Sequence, residues 1–235
     1  MSAQPVLVAC AHGTRNPTGR RLIGELALAA RALRPGLQTT AAFVDVQPPT
    51  VVDVVAGLGA AGTPAVVVPL LLSGGYHVHV DIAGAVAQHP GAVAARPLGP
   101  DPRLAAVLLD RLREAGAGPT DAVVLAAAGS SDPRSVRDVE DTAALLQRDW
   151  GGPVTTGYGS AAQPPVADAV AAARTAGADR VVVAAYLLAP GHFSDKLRGA
   201  GADRVTAPLL PDERIAAVLL DRYDAALQNS VDAAS

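Results

Sequence analysis

Two histidines and an aspartate in the first half of the chain could form a reactive site. His12 comes directly after the apolar segment 6–11, and Asp45 and His77 follow the second and third such segments. Two imidazoles and a carboxylate suit a divalent metal such as iron, cobalt or nickel, and imidazole also accepts protons near neutral pH. A lone histidine after a strand more often serves packing or hydrogen bonding, and Asp45 is equally suited to capping a turn. The three together indicate a site that binds a metal weakly and takes up protons.

The chain contains an internal repeat. Three segments of the first half align without gaps, and in the same order, with three of the second half: 11–17 with 127–133, 66–82 with 181–197, and 104–112 with 215–223. Repeated matches in one order indicate two copies of one domain. We therefore predict an N-terminal domain over residues 1–116 and a C-terminal domain over residues 117–235.

The two copies differ at the candidate reactive positions. His77 aligns with His192, but His12 aligns with Ala128. The positions expected at the equivalent edge of the second sheet are Ala128, Ala161, His192 and Ser194. This asymmetry predicts that the chemistry lies in the first copy and that the second copy mainly completes a cleft.

The order of apolar and amphipathic segments predicts the fold class. In each half, four short Val/Ala/Leu runs alternate with four segments of helical periodicity, one of which predicts a helix over about 79–88. Residues 228–235 are expected to form a frayed tail. Such alternation predicts an α/β protein with two similar domains, each a parallel sheet with helices on both faces. Ligands bind beyond the carboxyl ends of such strands, so His12, Asp45 and His77 are expected at one sheet edge.

Composition narrows the classes of function. The chain has 235 residues, of which 50% are hydrophobic and 3% aromatic, so its core must consist of Ala, Val and Leu. The net charge of −3 provides no overall basic field for nucleic acid. We expect no membrane span, because no apolar stretch is long enough, and no signal peptide. Cys10 is the single cysteine and is expected to be a buried small side chain. These features predict a cytoplasmic protein.

The loops around the histidines offer groups that could hold a ligand. Gly74 and Gly75 precede His77 and would let a flat ligand approach the backbone, although an ordinary tight turn explains them as well. Arg15 lies close to His12, and an arginine fork suits a carboxylate. We therefore expect Arg15, Gly74, Gly75 and Tyr76 to bind the substrate.

The segments AHGTRNP, AFVDVQPPTV and VPLLLSGGYHVHVDI resemble the sirohydrochlorin chelatases, the CbiX/SirB-like class II chelatases, in their long two-domain form. The resemblance covers nearly the whole chain. It implies insertion of Fe(II) or Co(II), with Ni(II) as a third candidate, into the tetrapyrrole sirohydrochlorin on the routes to siroheme and cobalamin. His12 and His77 would be the two catalytic histidines and, with Asp45, the metal ligands. The family often has a glutamate where Asp45 stands. No permanently bound cofactor is implied.

Two other functions compete with this interpretation. A tetrapyrrole or metal carrier would bind the same ligands without inserting the metal. A histidine phosphatase is suggested by His-Gly after the first strand, but that chemistry uses Arg-His-Gly, and here Ala11 precedes His12. We expect small-molecule and metal partners and no nucleic acid or membrane. We also expect a monomer, because a duplicated chain supplies in one polypeptide what a half-length relative needs two copies to provide.

Overall fold

The computed structural model describes residues 4–232, with side chains through residue 230. The first sheet has four parallel strands in the order β2-β1-β3-β4. Val and Ala runs suit such strands because parallel strands are buried on both faces. The strands are β1 (Val6–Ala11), β2 (Thr39–Phe43), β3 (Ala65–Pro69) and β4 (Ala92–Ala94).

The helices between these strands begin at residues suited to helix starts. The side chain of Asn16 accepts a hydrogen bond from the Gly19 amide, and that of Thr50 accepts one from the Asp53 amide. The segment after β3 forms one turn of π-helix and continues as an α-helix. The elements are α1 (Pro17–Leu33), α2 (Val51–Ala60), the π-helix (His77–Ile82) and α3 (Ala83–Ala87).

The second sheet repeats this topology with strand order β6-β5-β7-β8. Its strands are β5 (Ala122–Ala127), β6 (Val154–Tyr158), β7 (Val181–Tyr186) and β8 (Arg204–Val205). The remaining helices are α4 (Pro102–Glu114), α5 (Pro133–Asp149), α6 (Val166–Thr175), α7 (His192–Arg198) and α8 (Glu213–Asp232).

The compact units are not the two sequence repeats. One unit comprises the chain up to Leu98 together with α8, and the other spans Gly99–Asp212, which includes α4. Helix α8 packs on α1 and β3, whereas α4 packs on α5 and β7. The predicted division at residue 116 follows the sequence repeat, but in the structure the last helix of each repeat covers the sheet of the other repeat.

Equivalent arginines of the two repeats anchor helices α8 and α4, each in its own unit. The guanidinium of Arg222 on α8 donates to the carbonyls of Pro97 and Leu98 at 2.9 and 2.7 Å. Its repeat counterpart, Arg111 on α4, donates to the carbonyls of Pro208, Leu209 and Pro211 at 2.9–3.1 Å. Charged donors to backbone carbonyls are among the stronger hydrogen bonds, so they fix each helix against the loop that follows the last strand of its unit.

The predicted fold class is confirmed, with local differences at the element ends. The helix after β3 begins at His77 rather than near residue 79, because a π-turn precedes the α-helix. The segment predicted as a frayed tail is helical as far as Asp232, since α8 extends through it. Residues 233–235 of that prediction lie outside the described residues. Among residues 4–232, no helix is both long and apolar enough to span a bilayer.

Candidate functional site

The end of β1 brings His12 to the centre of the first sheet. The Leu70 amide donates to the Cys10 carbonyl at 2.7 Å, and the Asp45 amide donates to the His12 carbonyl at 3.1 Å. These bonds extend the ladders on both sides of β1 by a residue or more beyond the strands. Because β2 lies on one side of β1 and β3 on the other, His12 occupies the point where the strand order reverses, where ligands bind in open parallel sheets.

The two predicted catalytic histidines lie in contact. Their ring centroids are 4.7 Å apart, and the rings are nearly perpendicular, at 83°. His12 is half-buried in the turn after β1, and His77 begins the π-helix after β3. The structure therefore brings together two residues 65 positions apart in sequence (77 − 12).

Both imidazoles have an oxygen beside Nδ1. His77 Nδ1 lies 2.6 Å from Asp81 Oδ2, and His12 Nδ1 lies 3.3 Å from the carbonyl oxygen of its neighbour Gly13. Carbonyl and ionised carboxylate oxygens only accept hydrogen bonds, so each contact requires a proton on Nδ1. In the neutral imidazole the lone pair is then on Nε2. Two Nε2 lone pairs on neighbouring rings can bind a metal or accept protons.

Cys10 lies in the strand below this pair and remains a thiol. Its side chain is fully buried. Burial, and secondarily the negative charge of Asp81, raises the pKa of this thiol to about 12. Only the thiolate is a good metal ligand, so Cys10 acts as a small apolar side chain, as predicted.

The backbone of Asp45 is hydrogen-bonded to that of His12, and the Asp45 side chain has a local role. Its Oδ1 accepts a hydrogen bond from the Val46 amide at 2.7 Å, in a turn where Val46 adopts a left-handed φ of 64°. Within residues 4–232, no three His, Cys, Asp or Glu side chains are grouped closely enough to hold a metal ion. The structure thus pairs His12 with His77 but does not assemble a three-residue ligand set with Asp45.

The residues predicted to bind the substrate lie in the same two loops. Tyr76 is half-exposed, and its ring packs edge-on against that of His77, with centroids 5.9 Å apart. Gly74 is buried and Gly75 is partly buried. Arg15 is exposed in the turn between β1 and α1. Their part in binding stays a prediction.

Sequence reasoning missed Asp81. The signal was present, because Asp81 lies four residues after His77, a spacing that brings side chains together on a helix. The predicted helix began near His79, which left His77 in an extended loop and separated it from Asp81. In the structure, His79 is exposed on the π-helix, while His77 and Asp81 are each about one-third exposed.

The equivalent edge of the second sheet lacks these groups. Ala128 follows β5, and Ser160 stands where the first unit has Asp45, because the left-handed Ala161 (φ 56°) corresponds to the left-handed Val46. The sequence predicted Ala161 as the counterpart of Asp45, but the structural counterpart is the preceding residue, Ser160. His192 has Lys196 four residues later, and the Lys196 ammonium donates to the Gly159 carbonyl. Among the described residues, this edge has one histidine, and the nearby Asp195 pairs with Arg198.

The fold and the histidine pair define a duplicated parallel α/β protein whose first copy carries a histidine pair that its second copy lacks. The sequence model of the CbiX family matches residues 6–115 and 122–226, which are the two repeats. The chain therefore belongs to the CbiX family, and the resemblance found in the sequence is confirmed. No curated protein matches the chain significantly.

Solved structures share the fold over nearly the whole chain. SirB from Bacillus subtilis with Fe3+ is 21% identical, covers 98% of both chains and has a TM-score of 0.78. The sirohydrochlorin chelatase SirB from Bacillus subtilis subspecies spizizenii, in complex with cobalt, is 21% identical over 97% of both chains, with a TM-score of 0.75. CbiX, the terminal enzyme for biosynthesis of siroheme in denitrifying bacteria, is 19% identical, covers 94% of this chain and 99% of its own, and has a TM-score of 0.67.

Proposed function

We propose that this protein is a sirohydrochlorin chelatase, a lyase that inserts Fe(II) or Co(II) into sirohydrochlorin for siroheme or cobalamin biosynthesis. The observation that carries the proposal is the contact between His12 and His77, each of which has an oxygen acceptor beside Nδ1 that leaves the lone pair on Nε2. Membership of the CbiX family supports it. Of the two similar SirB structures, one is SirB with Fe3+ and the other is the sirohydrochlorin chelatase SirB in complex with cobalt.

The reaction requires both metal binding and proton uptake. A divalent metal enters the ring, two pyrrole N–H bonds break, and two protons leave as the metal binds the four ring nitrogens. No electron is transferred, so no oxidant or reductant is needed. A site with two imidazoles can bind the incoming metal and accept protons, because an imidazole nitrogen lone pair does either.

His12 takes the pyrrole protons and contacts the incoming metal, and His77 is the second ligand or base. Imidazole nitrogens bind iron, cobalt and nickel without strong selectivity. A site with few ligands also releases the metal to the macrocycle, because it does not surround the ion.

Exposed apolar side chains in these loops suit a flat macrocycle. Tyr76 is 50% exposed, Val80 is 47% exposed and Val46 is 38% exposed. Tyr76 and Val80 flank His77 in sequence, and Val46 lies in the turn that contacts Gly13. A tetrapyrrole ring would cover apolar surface of these side chains. The exposed guanidinium of Arg15 would pair with a peripheral carboxylate.

The test is metal insertion followed anaerobically by visible absorption. Fe(II), Co(II) and Ni(II) are added in turn to protein and sirohydrochlorin, with a protein-free control and the variants His12→Ala and His77→Ala. We expect acceleration by the protein and a loss of about 100-fold or more in each variant, since a positioned acid–base group contributes about 100- to 10,000-fold. Circular dichroism checks that the variants fold.

The same assay separates the alternatives. Binding of sirohydrochlorin without acceleration would make the protein a carrier. Absence of binding would exclude both functions, and hydrolysis of a phosphate ester that depends on His12 would then support the phosphatase. Normal insertion rates in both folded histidine variants would also contradict the proposal.

A further inference from the structure

Asp81 is the acidic partner of His77 on the π-helix. Its Oδ2 lies 2.6 Å from Nδ1 of His77, and each side chain is 34% exposed. At this distance and degree of burial the contact is a hydrogen bond rather than a screened surface ion pair. The bond fixes the plane of the imidazole ring and places the proton on Nδ1, so the opposite nitrogen, Nε2, keeps its lone pair.

The local backbone is arranged to make this bond. His77–Ile82 form a π-helix, in which hydrogen bonds span five residues instead of four. Single π-turns within helices are rare and occur frequently at functional sites. Here the π-turn starts at His77 and includes Asp81, while Val78 and Ile82 of the same turn are buried. The buried pair anchors the turn against the sheet, and the acid and the histidine are held together on it.

The second copy shows that the fold does not need this pair. His192 aligns with His77, and Lys196 occupies the position of Asp81. Lys196 donates to the Gly159 carbonyl, so the position contributes to packing there without orienting an imidazole. The acid is thus present only in the copy that also has the second histidine, His12.

We infer that Asp81 is a positioning residue that holds His77 in the Nδ1–H tautomer and aims its Nε2 lone pair at the metal and the pyrrole protons. The effect on the metal and the pyrrole protons rests on the proposed function, whereas the Nδ1–H tautomer of His77 does not depend on it. A carboxylate behind a metal-binding histidine also raises the basicity of the ligand, and its loss costs about 10- to 100-fold in metal affinity or activity.

The test uses the full chain labelled with nitrogen-15 in its histidine rings. A long-range proton–nitrogen correlation spectrum assigns the tautomer of His77 in the wild type, Asp81→Ala and Asp81→Glu. The matched control is Asp195→Ala, which removes an exposed aspartate paired with Arg198 on α7 of the second copy. Co(II) affinity is measured for the same proteins from the visible spectrum of the ion, and insertion rates are measured as above.

We expect the Nδ1–H tautomer in the wild type and the control, and a shift toward Nε2–H in Asp81→Ala. We expect Co(II) affinity to fall by about 10- to 100-fold in Asp81→Ala and to recover in part in Asp81→Glu. An unchanged tautomer in folded Asp81→Ala overturns the inference, as does an equal loss of Co(II) affinity in Asp195→Ala. If the tautomer shifts as expected but the wild type inserts no metal, the proposed function fails and the positioning role stands.

Discussion

The chemistry at the residue scale depends on which nitrogen of each imidazole is free. Gly13 and Asp81 supply acceptors to the Nδ1 atoms of His12 and His77, respectively. The acceptors differ in strength, because one is a backbone carbonyl at 3.3 Å and the other a carboxylate at 2.6 Å. The imidazole of His77 therefore has the stronger acceptor of the two.

Replacing Asp45 by Asn separates its two candidate roles. The amide oxygen of Asn can still accept from the Val46 amide, so the turn is preserved, but the negative charge is lost. If the carboxylate assists metal capture, the metal concentration for half-maximal insertion rises by about tenfold or more. The kcat at saturating metal changes less. A metal dependence identical to that of the wild type would assign Asp45 to the turn alone.

Cys10 gives a prediction that depends on pH. Burial, and then the charge of Asp81, raises the pKa of this thiol from 9.0 to about 12. The folded state favours the protonated form, so this contribution to stability is complete below about pH 9 and is lost as pH rises toward 12. We therefore expect thiol reagents to modify the wild type only on unfolding, as measured by labelling with and without denaturant. Rapid labelling of the native protein at neutral pH would contradict this.

At the scale of elements, the turn between β1 and α1 controls where His12 lies. Gly13 has a φ of +95°, and a Cβ there would lie 2.5 Å from the Asp45 carbonyl oxygen. Gly129 occupies the same position in the second copy, with a φ of +90° and the Ser160 carbonyl oxygen 1.9 Å from its Cβ position. Both turns thus pack backbone against backbone where only glycine fits.

Alanine at these glycines tests the role of the turn. Gly13→Ala and Gly129→Ala should each lower the free energy of unfolding by about 1–3 kcal/mol, from left-handed strain and contact with a carbonyl. Gly36→Ala is the control for strain alone, because its φ is +90° and nothing lies within 4 Å. Denaturant unfolding measures all three. Only Gly13→Ala should slow metal insertion, because only this turn carries His12; equal slowing by Gly129→Ala would contradict that assignment.

At the scale of the whole molecule, the first sheet depends on a helix from the far end of the chain. Ile215, Ala216, Val218, Leu219 and Tyr223 of α8 have no exposed surface. The Tyr223 hydroxyl donates to the Pro5 carbonyl at 2.6 Å, and Arg34, just after α1, forms a two-bond ion pair with Asp224 at 2.5 and 2.6 Å. The unit that carries the histidine pair is therefore complete only when both chain ends are present.

Truncation after Asp212 tests this dependence. Removing α8 exposes the apolar face that it covers on β3 and α1, and each buried large side chain contributes about 1.5–3 kcal/mol. We expect the amides of β1 and β3 to lose protection in hydrogen exchange, while those of β5 and β7 keep theirs because α4 is retained. Full protection of β1 in the truncated chain would show that α8 is dispensable.

The sequence by itself determined the alternating β/α order, the duplication and the edge to which His12, Asp45 and His77 belong, because strand runs and repeats are local patterns and parallel strands share one direction. It also pointed to His12 and His77, since each follows a strand of the first copy. Their contact needed the strand order, which places β1 beside β3 and is not written in any one segment.

Three features were decided only by the tertiary structure. The π-turn that pairs His77 with Asp81 depends on packing of Val78 and Ile82, so helical periodicity placed the helix start too late. The side chain of Asp45 accepts a hydrogen bond from the Val46 amide in a turn where Val46 is left-handed. The exchange of α4 and α8 was not evident in the sequence, because the matching segments 104–112 and 215–223 are nearly identical.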